Sequence, residues 1–136
     1  MEISGKNIIL TGAAGGIGSC VTKKLLENNA VVAAVSINKD KLNLLKDSCS
    51  TMVDNLICYC GDVSDIEFVK DVTEDFFKHS NKIDALINNA SILLDAPLIG
   101  ISKGKLKKLP LENWNKTIAS NLTGVFYFSR EVAEKM

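Results

Sequence analysis

The sequence has little of what marks secreted, membrane or nucleic-acid-binding proteins. Its first residues lack a basic segment followed by an apolar run, so no signal peptide is predicted. No stretch approaches the roughly 18 uninterrupted apolar residues of a membrane span. The 16 basic and 16 acidic residues cancel, which gives no electrostatic reason to expect nucleic acid or an anionic membrane as a partner. We therefore expect a cytoplasmic protein that holds any anionic ligand locally.

Metal-binding and disulfide signals are also scarce. The chain has four cysteines and one histidine, and no two cysteines form a Cys-x-x-C pair. Cys58 and Cys60 are two apart on a predicted strand, where both face the same side as small core residues do. No metal site is predicted, and the expected compartment is the reducing cytosol.

Short apolar runs alternate with helical patterns along the whole chain, which predicts one domain over residues 1–136. The predicted strands are 7–11, 30–36, 55–60 and 83–88. The predicted helices are 17–29, a helix with Leu42 and Leu45 inward, 65–79 and a final helix from Pro110 to the chain end. This alternation predicts an α/β fold in which a parallel sheet has helices on both faces.

Two segments in the second half of the chain need separate interpretations. Residues 92–109 are irregular and rich in lysine, and are interpreted either as a solvated loop or as part of the mouth of a substrate cleft. The final helix has an apolar seam that only Asn121 interrupts, and Leu122 and Phe126 form a second apolar stripe. Such a helix is expected to be covered by the sheet and by a partner helix.

A glycine-rich segment, Thr11-Gly12-Ala13-Ala14-Gly15-Gly16-Ile17-Gly18, lies between the first predicted strand and helix. Glycines permit a tight turn and let the backbone approach a diphosphate. The following helix presents unpaired N–H groups and its positive dipole end. This placement favours nucleotide binding over a merely structural turn.

The segment resembles the T-G-x-x-x-G-x-G fingerprint of short-chain dehydrogenases/reductases. It also fits T-G-x-x-G-x-x-G of the extended, epimerase-like branch, through Gly15. Three further segments resemble motifs of the single-domain branch: Asn88-Asn89-Ala90-Ser91, Gly61-Asp62-Val63 and Asn121-Leu122-Thr123-Gly124-Val125-Phe126. The resemblance implies a Rossmann-type doubly wound sheet, incomplete here, with strand order 3-2-1-4.

The resemblance also implies the site residues. The implied cofactor-binding residues are Thr11, Gly12, Ala14, Gly15, Gly16, Ile17, Gly18, Ser36, Asp62, Val63, Asn89, Ala90 and Ser91. The loop residues would cradle the pyrophosphate, Asp62 and Val63 would meet the adenine, and the residues from Asn89 to Ser91 would border the ribose and nicotinamide. Asn89 would also brace the strands. Ser91 replaces the glycine usual in the family, and its small size is expected to be tolerated.

Asn121 is the one implied catalytic residue, as the family's helix asparagine that holds a water in the proton relay. The other interpretation is a buried amide that the backbone satisfies. An unpaired buried amide would cost roughly 1–3 kcal/mol, so either interpretation requires a partner.

Ser36, at the end of the second strand, bears on cofactor choice. NAD-preferring members of the family place a carboxylate there for the ribose diol. A serine removes the group that would repel a 2′-phosphate, and Lys39 is near enough to help bind one. NADP is therefore slightly favoured over NAD.

The resemblance implies hydride transfer between nicotinamide and a small-molecule carbonyl or alcohol, with 3-oxoacyl-acyl-carrier-protein reductases as the most similar members. The catalytic serine and Tyr-x-x-x-Lys are expected beyond Met136, because neither Tyr59 nor Tyr127 is followed four residues later by lysine. These 136 residues alone are predicted not to complete the reaction. Homo-oligomerisation through helix 111–136 is expected, and the alternative function is a non-catalytic dinucleotide-binding or regulatory module.

Overall fold

A computed structural model of the chain describes residues 2–102 and 104–136. The strands are Asn7–Thr11 (β1), Val31–Ser36 (β2), Leu56–Cys60 (β3), Ala85–Ile87 (β4), Ile99–Ser102 (β5) and Lys105–Lys108 (β6). The α-helices are Gly16–Glu27 (α1), Lys39–Ser48 (α2), Ile66–Ser80 (α3), Leu111–Ile118 (α4) and Gly124–Ala133 (α5). A 3₁₀ segment, Ser50–Asn55, precedes β3, and a π-helical turn, Ala119–Thr123, joins α4 to α5.

The main sheet has four parallel strands in the order β3-β2-β1-β4. The predicted α/β fold and strand order are confirmed, and each predicted strand lies within two residues of its observed bounds. β1 is central, pairing with β2 on one side and with β4 on the other. Because all four strands run the same way, the loops after them meet at one edge of the sheet.

Helices cover both faces of this sheet, as alternate side chains of β1 show. Ile8 and Leu10 face a core formed with α1 and α2, where Leu42 and Leu45 point inward as predicted. Ile9 faces the opposite core, formed with α3 and α5. β1 and β2 are almost wholly apolar because both of their faces are covered.

Cys58 in β3 is half-buried and Cys60 is exposed, so the expectation that Cys60 is a core residue is wrong.

Asp84 lies at the edge of the sheet opposite the glycine-rich loop, just before β4. Its carboxylate accepts a 3.0 Å hydrogen bond from the Asn7 N–H, and its own N–H donates to the Asn7 carbonyl at 2.8 Å. The Asn7 N–H, followed by the ammonium groups of Lys82 and Lys6, lowers the pKa of the Asp84 carboxyl to about 2. The first residue of β1 is thus tied to the residue before β4.

The interpretation of residues 92–109 as wholly irregular is wrong. Strands β5 and β6 pair as an antiparallel hairpin, separate from the main sheet. Backbone pairing needs only extended chain and a turn, and Gly104 supplies the turn with φ of +73°. The predicted solvation of this segment is confirmed, since all but one residue of the two strands are exposed.

The predicted final helix is not regular throughout. It begins after Pro110 as expected, but the π-helical turn interrupts it at Ala119–Thr123, which includes Asn121. A π turn inserts one extra residue per turn, and an apolar pattern with spacings of three and four does not reveal it. Trp114, Leu122 and Phe126 remain 56–62% exposed, so cover by a partner helix stays a prediction.

Within residues 2–102 and 104–136, no helix has the length and apolarity needed to cross a bilayer.

Candidate functional site

A cleft of about 600 Å³ lies where the loops after β1, β2, β3 and β4 converge. Its lining comes from Gly12, Gly15, Gly16, Ile17, Gly18, Ser36, Ile37, Asn38, Lys41, Gly61, Asp62, Val63, Asn89, Ala90, Ser91, Ile92 and Ser120. The carboxyl edge of an open parallel sheet is where such folds bind ligands, at the point where strand order reverses. Here that point lies between β1 and β4.

Close backbone approaches shape the loop between β1 and α1. Gly12 has φ of +65°, and a Cβ there would lie 2.8 Å from the Ala90 Cα. A Cβ on Gly18 would overlap the Gly12 carbonyl oxygen. Side chains are therefore excluded at both positions by the protein itself. At Gly16, by contrast, a Cβ would meet no protein atom within 4 Å, so this glycine leaves open space beside the cleft.

The N-terminus of α1 points its free donors at that space. Its N-cap is Gly15, which offers no side-chain acceptor, and its first turn holds no acidic residue. The N–H groups of Gly16, Ile17 and Gly18 have no acceptor within the helix. The Ile17 side chain lines the cleft and is 74% exposed, rather than facing the core as its spacing from Val21 suggests. This helix end has the donors and dipole that an anion requires.

Thr11 joins β1 to the segment after β4. Its hydroxyl accepts from the N–H groups of Asn89 and Ala90, both at 3.0 Å, and donates to the Ile87 carbonyl at 3.5 Å. The Asn89 amide donates to the carbonyls of Thr11 and Gly12 at 3.1 and 3.2 Å. Asn89 thus braces the two strands as expected. Thr11 is 2% exposed and lies behind the cleft wall.

The loop after β2 forms the far end of the cleft. The Ser36 hydroxyl accepts from the Asn38 N–H at 3.3 Å, and the Asn38 side chain caps α2 by accepting from the Lys41 N–H at 2.9 Å. The lysine that lines the cleft is Lys41, two residues after Lys39 in α2. Lys39, the lysine favoured from the sequence, is not among the lining residues.

Asp62 and Val63 form the turn after β3. Ser64 donates to the Asp62 Oδ1 atom from its N–H and from its hydroxyl, both at 2.8 Å, which holds the carboxylate in place. Val63 is packed tightly against α5, since a Cβ on Gly124 would lie 2.8 Å from the Val63 Cγ2 atom. This contact explains why a glycine occupies position 124 in the Asn121–Phe126 motif. A larger side chain there would displace the turn that contains Val63.

Asn121 lies beside the cleft rather than in its wall. Its Oδ1 accepts from the Ile92 N–H and its Nδ2 donates to the Ile92 carbonyl, both at 2.9 Å. The amide is exposed rather than buried, and it is satisfied by backbone. It therefore fixes the segment that follows Ser91 to the π-helical turn.

The cleft brings together eleven of the fourteen residues predicted for the site: all except Thr11, Ala14 and Asn121. Sequence reasoning missed six lining residues: Ile37, Asn38, Lys41, Gly61, Ile92 and Ser120. Four of these follow directly after strands or after the predicted segments, so the strand-end rule could have found them. Lys41 and Ser120 lie within helical segments, and no local signal singles them out.

No group of three or more His, Cys, Asp and Glu side chains suited to a metal ion occurs in the part of the chain that the structure describes.

Comparison with known proteins gives a consistent family match. The family model described as short chain dehydrogenase matches residues 6–136. The 3-oxoacyl-[acyl-carrier-protein] reductase of Thermotoga maritima is 32% identical over 136 residues, covering 100% of this chain and 52% of the relative. The 2,3-dihydro-2,3-dihydroxybenzoate dehydrogenase of Bacillus subtilis is 33% identical over 134 residues, covering 98% and 48%. The chain thus spans about half the length of the curated relatives it matches.

Solved structures share the same fold. An NAD⁺-bound xylitol dehydrogenase is 26% identical with a TM-score of 0.87, and the match covers 100% of this chain and 50% of that one. A short-chain type dehydrogenase/reductase from Mycobacterium marinum is 27% identical with a TM-score of 0.84, covering 98% and 51%.

Proposed function

Because this chain belongs to the short-chain dehydrogenase family, we propose that it forms the dinucleotide-binding half of an NAD(P)-dependent oxidoreductase. The reaction is hydride transfer between nicotinamide and a carbonyl or alcohol. The observation that supports this is the uncapped N-terminus of α1 facing a cleft of about 600 Å³ at the strand-order switch. When bound, the nicotinamide supplies the hydride chemistry, and the residues of this chain hold and orient it.

The lining residues fit a dinucleotide from end to end. The N–H groups of Gly16 to Gly18 would hold the diphosphate, with the space beside Gly16 admitting its oxygens. The Asp62 Oδ1 is occupied by Ser64, so an adenine amino group would meet the other carboxylate oxygen. Asn89, Ala90 and Ser91 would border the ribose and nicotinamide at the opposite end.

Gly16 offers the direct test. Replacing Gly16 with valine should leave the free energy of unfolding nearly unchanged, because the protein leaves that space open. It should weaken NADPH binding by about 100-fold, equivalent to about 2.7 kcal/mol, measured by calorimetry on the complete protein. Lys78→Ala on the exposed side of α3 is the control. Unaltered NADPH affinity in the Gly16 variant would count against the proposed site.

For cofactor choice, we propose NADP over NAD. Ser36 carries no charge that would repel a 2′-phosphate, and Lys41 supplies a cation on the cleft. Replacing Ser36 with aspartate should reverse the preference, and Lys41→Ala should weaken NADPH binding about tenfold while sparing NADH. Equal affinity of the natural protein for both cofactors would contradict the preference.

Asn121 is proposed to act in catalysis through the segment that it clamps. Its two hydrogen bonds fix the Ile92 backbone, which itself lines the cleft next to Ser91. Asn121→Ala should lower kcat more than it raises KM. If both parameters stay at natural values, the proposed role is wrong.

The substrate class is proposed from the relatives as a 3-oxoacyl thioester, and the compartment as the cytosol. Acetoacetyl-coenzyme A is a suitable probe with the complete protein, read by loss of NADPH absorbance. If NADPH binds but no carbonyl or alcohol probe turns over, the result favours the non-catalytic module instead. We further propose homo-oligomerisation through helix 111–136, because Leu111, Trp114, Leu122 and Phe126 expose apolar area along it.

A further inference from the structure

The hairpin formed by β5 and β6 has one apolar face. Ile101 lies opposite Leu106 and Ile99 lies opposite Lys108 in the antiparallel register. Because side chains alternate along a strand, Ile99, Ile101 and Leu106 share one face, and Lys105 and Lys107 extend from the other. The three apolar side chains are 62%, 79% and 77% exposed. A two-stranded hairpin is only marginally stable in water by itself, so an apolar face left uncovered needs an explanation.

Positive charge is concentrated around this face. Residues 96–111 contain four lysines and no aspartate or glutamate, although the chain as a whole is neutral. Within the described ranges, no ion pair involves Lys105, Lys107 or Lys108. An apolar centre with charged groups around it is the arrangement of a protein–protein contact.

The molecule that covers the apolar face of the hairpin must carry negative charge and must be narrow. A second copy of the same hairpin would bring lysines against lysines, which is unfavourable in a symmetric contact. A lipid surface is disfavoured because residues 96–111 contain no aromatic side chain, the usual anchor at a membrane interface. A two-stranded ribbon is roughly 10 Å wide, which matches the diameter of one α-helix.

We propose that the hairpin 99–108 docks an acidic amphipathic helix of a partner protein. The apolar stripe of that helix packs on Ile99, Ile101 and Leu106. Its carboxylates meet Lys108 on the same face, and they meet Lys105 and Lys107 where these long side chains reach around the ribbon. The surface is distinct from the dinucleotide cleft and does not depend on the function proposed for it.

The test uses the complete protein and a synthetic helical peptide of about 20 residues, with leucine on one face and glutamate elsewhere. Binding is measured by fluorescence anisotropy at low salt. The charge-reversal variant K105E/K107E/K108E and the apolar variant I101S/L106S should each weaken binding at least about tenfold. The matched control, K23E/K46E/K78E, has the same change in net charge on α1, α2 and α3 and should bind within about twofold of the natural protein.

Far-UV circular dichroism and thermal unfolding serve as the folding readout and should be unchanged in all variants. The proposal is overturned if both charge-reversal variants lose binding equally, since net charge alone would then explain it. It is also overturned if the peptide does not bind. Tighter, hairpin-dependent binding to phosphatidylserine vesicles, or hairpin-dependent self-association in sedimentation, would assign the surface to a membrane or to a second copy instead.

Discussion

The glycine-rich loop after β1 and the hairpin of β5 and β6 each contain a glycine with positive φ, yet their surroundings are opposite. Thr11, at the start of the loop, is 2% exposed, and its hydroxyl makes three hydrogen bonds to the segment around β4. Ile101, in the hairpin, is 79% exposed. Where neighbouring backbone fills the space, a residue is constrained by shape. Where solvent surrounds it, a residue is free to serve a contact with another molecule. The two regions should therefore differ sharply in their response to substitution.

The largest contrast is expected between two glycines with the same backbone conformation. Gly12 and Gly104 have φ of +65° and +73°, but only at Gly12 would a Cβ meet other atoms. Gly12→Ala should lower the free energy of unfolding by roughly 2–4 kcal/mol and abolish NADPH binding. Gly104→Ala should cost only about 1 kcal/mol of local strain and leave binding intact. Urea unfolding and calorimetry measure both, and equal losses would contradict the contrast.

The next largest loss of stability is expected from removing the Thr11 hydroxyl. Thr11→Val removes the acceptor for the N–H groups of Asn89 and Ala90 and should cost roughly 1–3 kcal/mol of unfolding free energy. NADPH affinity should fall with it, because Asn89 and Ala90 line the cleft. Thr11→Ser keeps the hydroxyl and should recover most of the loss. A hairpin substitution of similar size, Ser102→Ala, should change stability by less than about 0.5 kcal/mol.

The hydrogen bond between Asp84 and Asn7 should make the stability of the main sheet depend on pH. Its folded pKa is lowered to about 2 from 3.8, so its stabilising contribution is fully present above pH 4 and is lost as the pH falls towards 2. Asp84→Asn should lower the free energy of unfolding by roughly 1–2 kcal/mol at neutral pH. The difference from the natural protein should shrink as the pH falls from 4 to 2 and should vanish below the folded pKa. Asp71→Asn, on the exposed side of α3, is the control and should show no such convergence.

The smallest effect is expected from removing the hairpin altogether. The Leu109 N–H donates to the Leu98 carbonyl at 3.0 Å, so the two ends of the hairpin are already adjacent. Replacing residues 99–108 by two glycines should change the free energy of unfolding by less than about 1 kcal/mol and leave NADPH affinity unchanged. A large loss of either would show that the hairpin supports the cleft.

The sequence predicted β1 to the residue because an apolar run meets a glycine-rich turn there, and both signals are local. The parallel sheet and the loops converging on its carboxyl edge follow from strand–helix alternation. The hairpin was missed because lysines alternate with its apolar residues, a pattern equally typical of a solvated loop. Lys41 was missed because its place on the cleft depends on where α2 begins. The Asn121–Ile92 clamp depends on a π-helical turn, which leaves no mark on residue spacing.

The pairing of Asn7 with Asp84 has a consequence for how the protein is made. These residues are 77 positions apart, whereas β1 meets β2 through the much shorter loop that contains α1. Short loops close at lower entropic cost, so β1, α1 and β2 can assemble early, while one side of β1 stays bare until β4 is synthesised. A nascent chain that stalls on the ribosome before Asp84 presents an unpaired central strand to its neighbours.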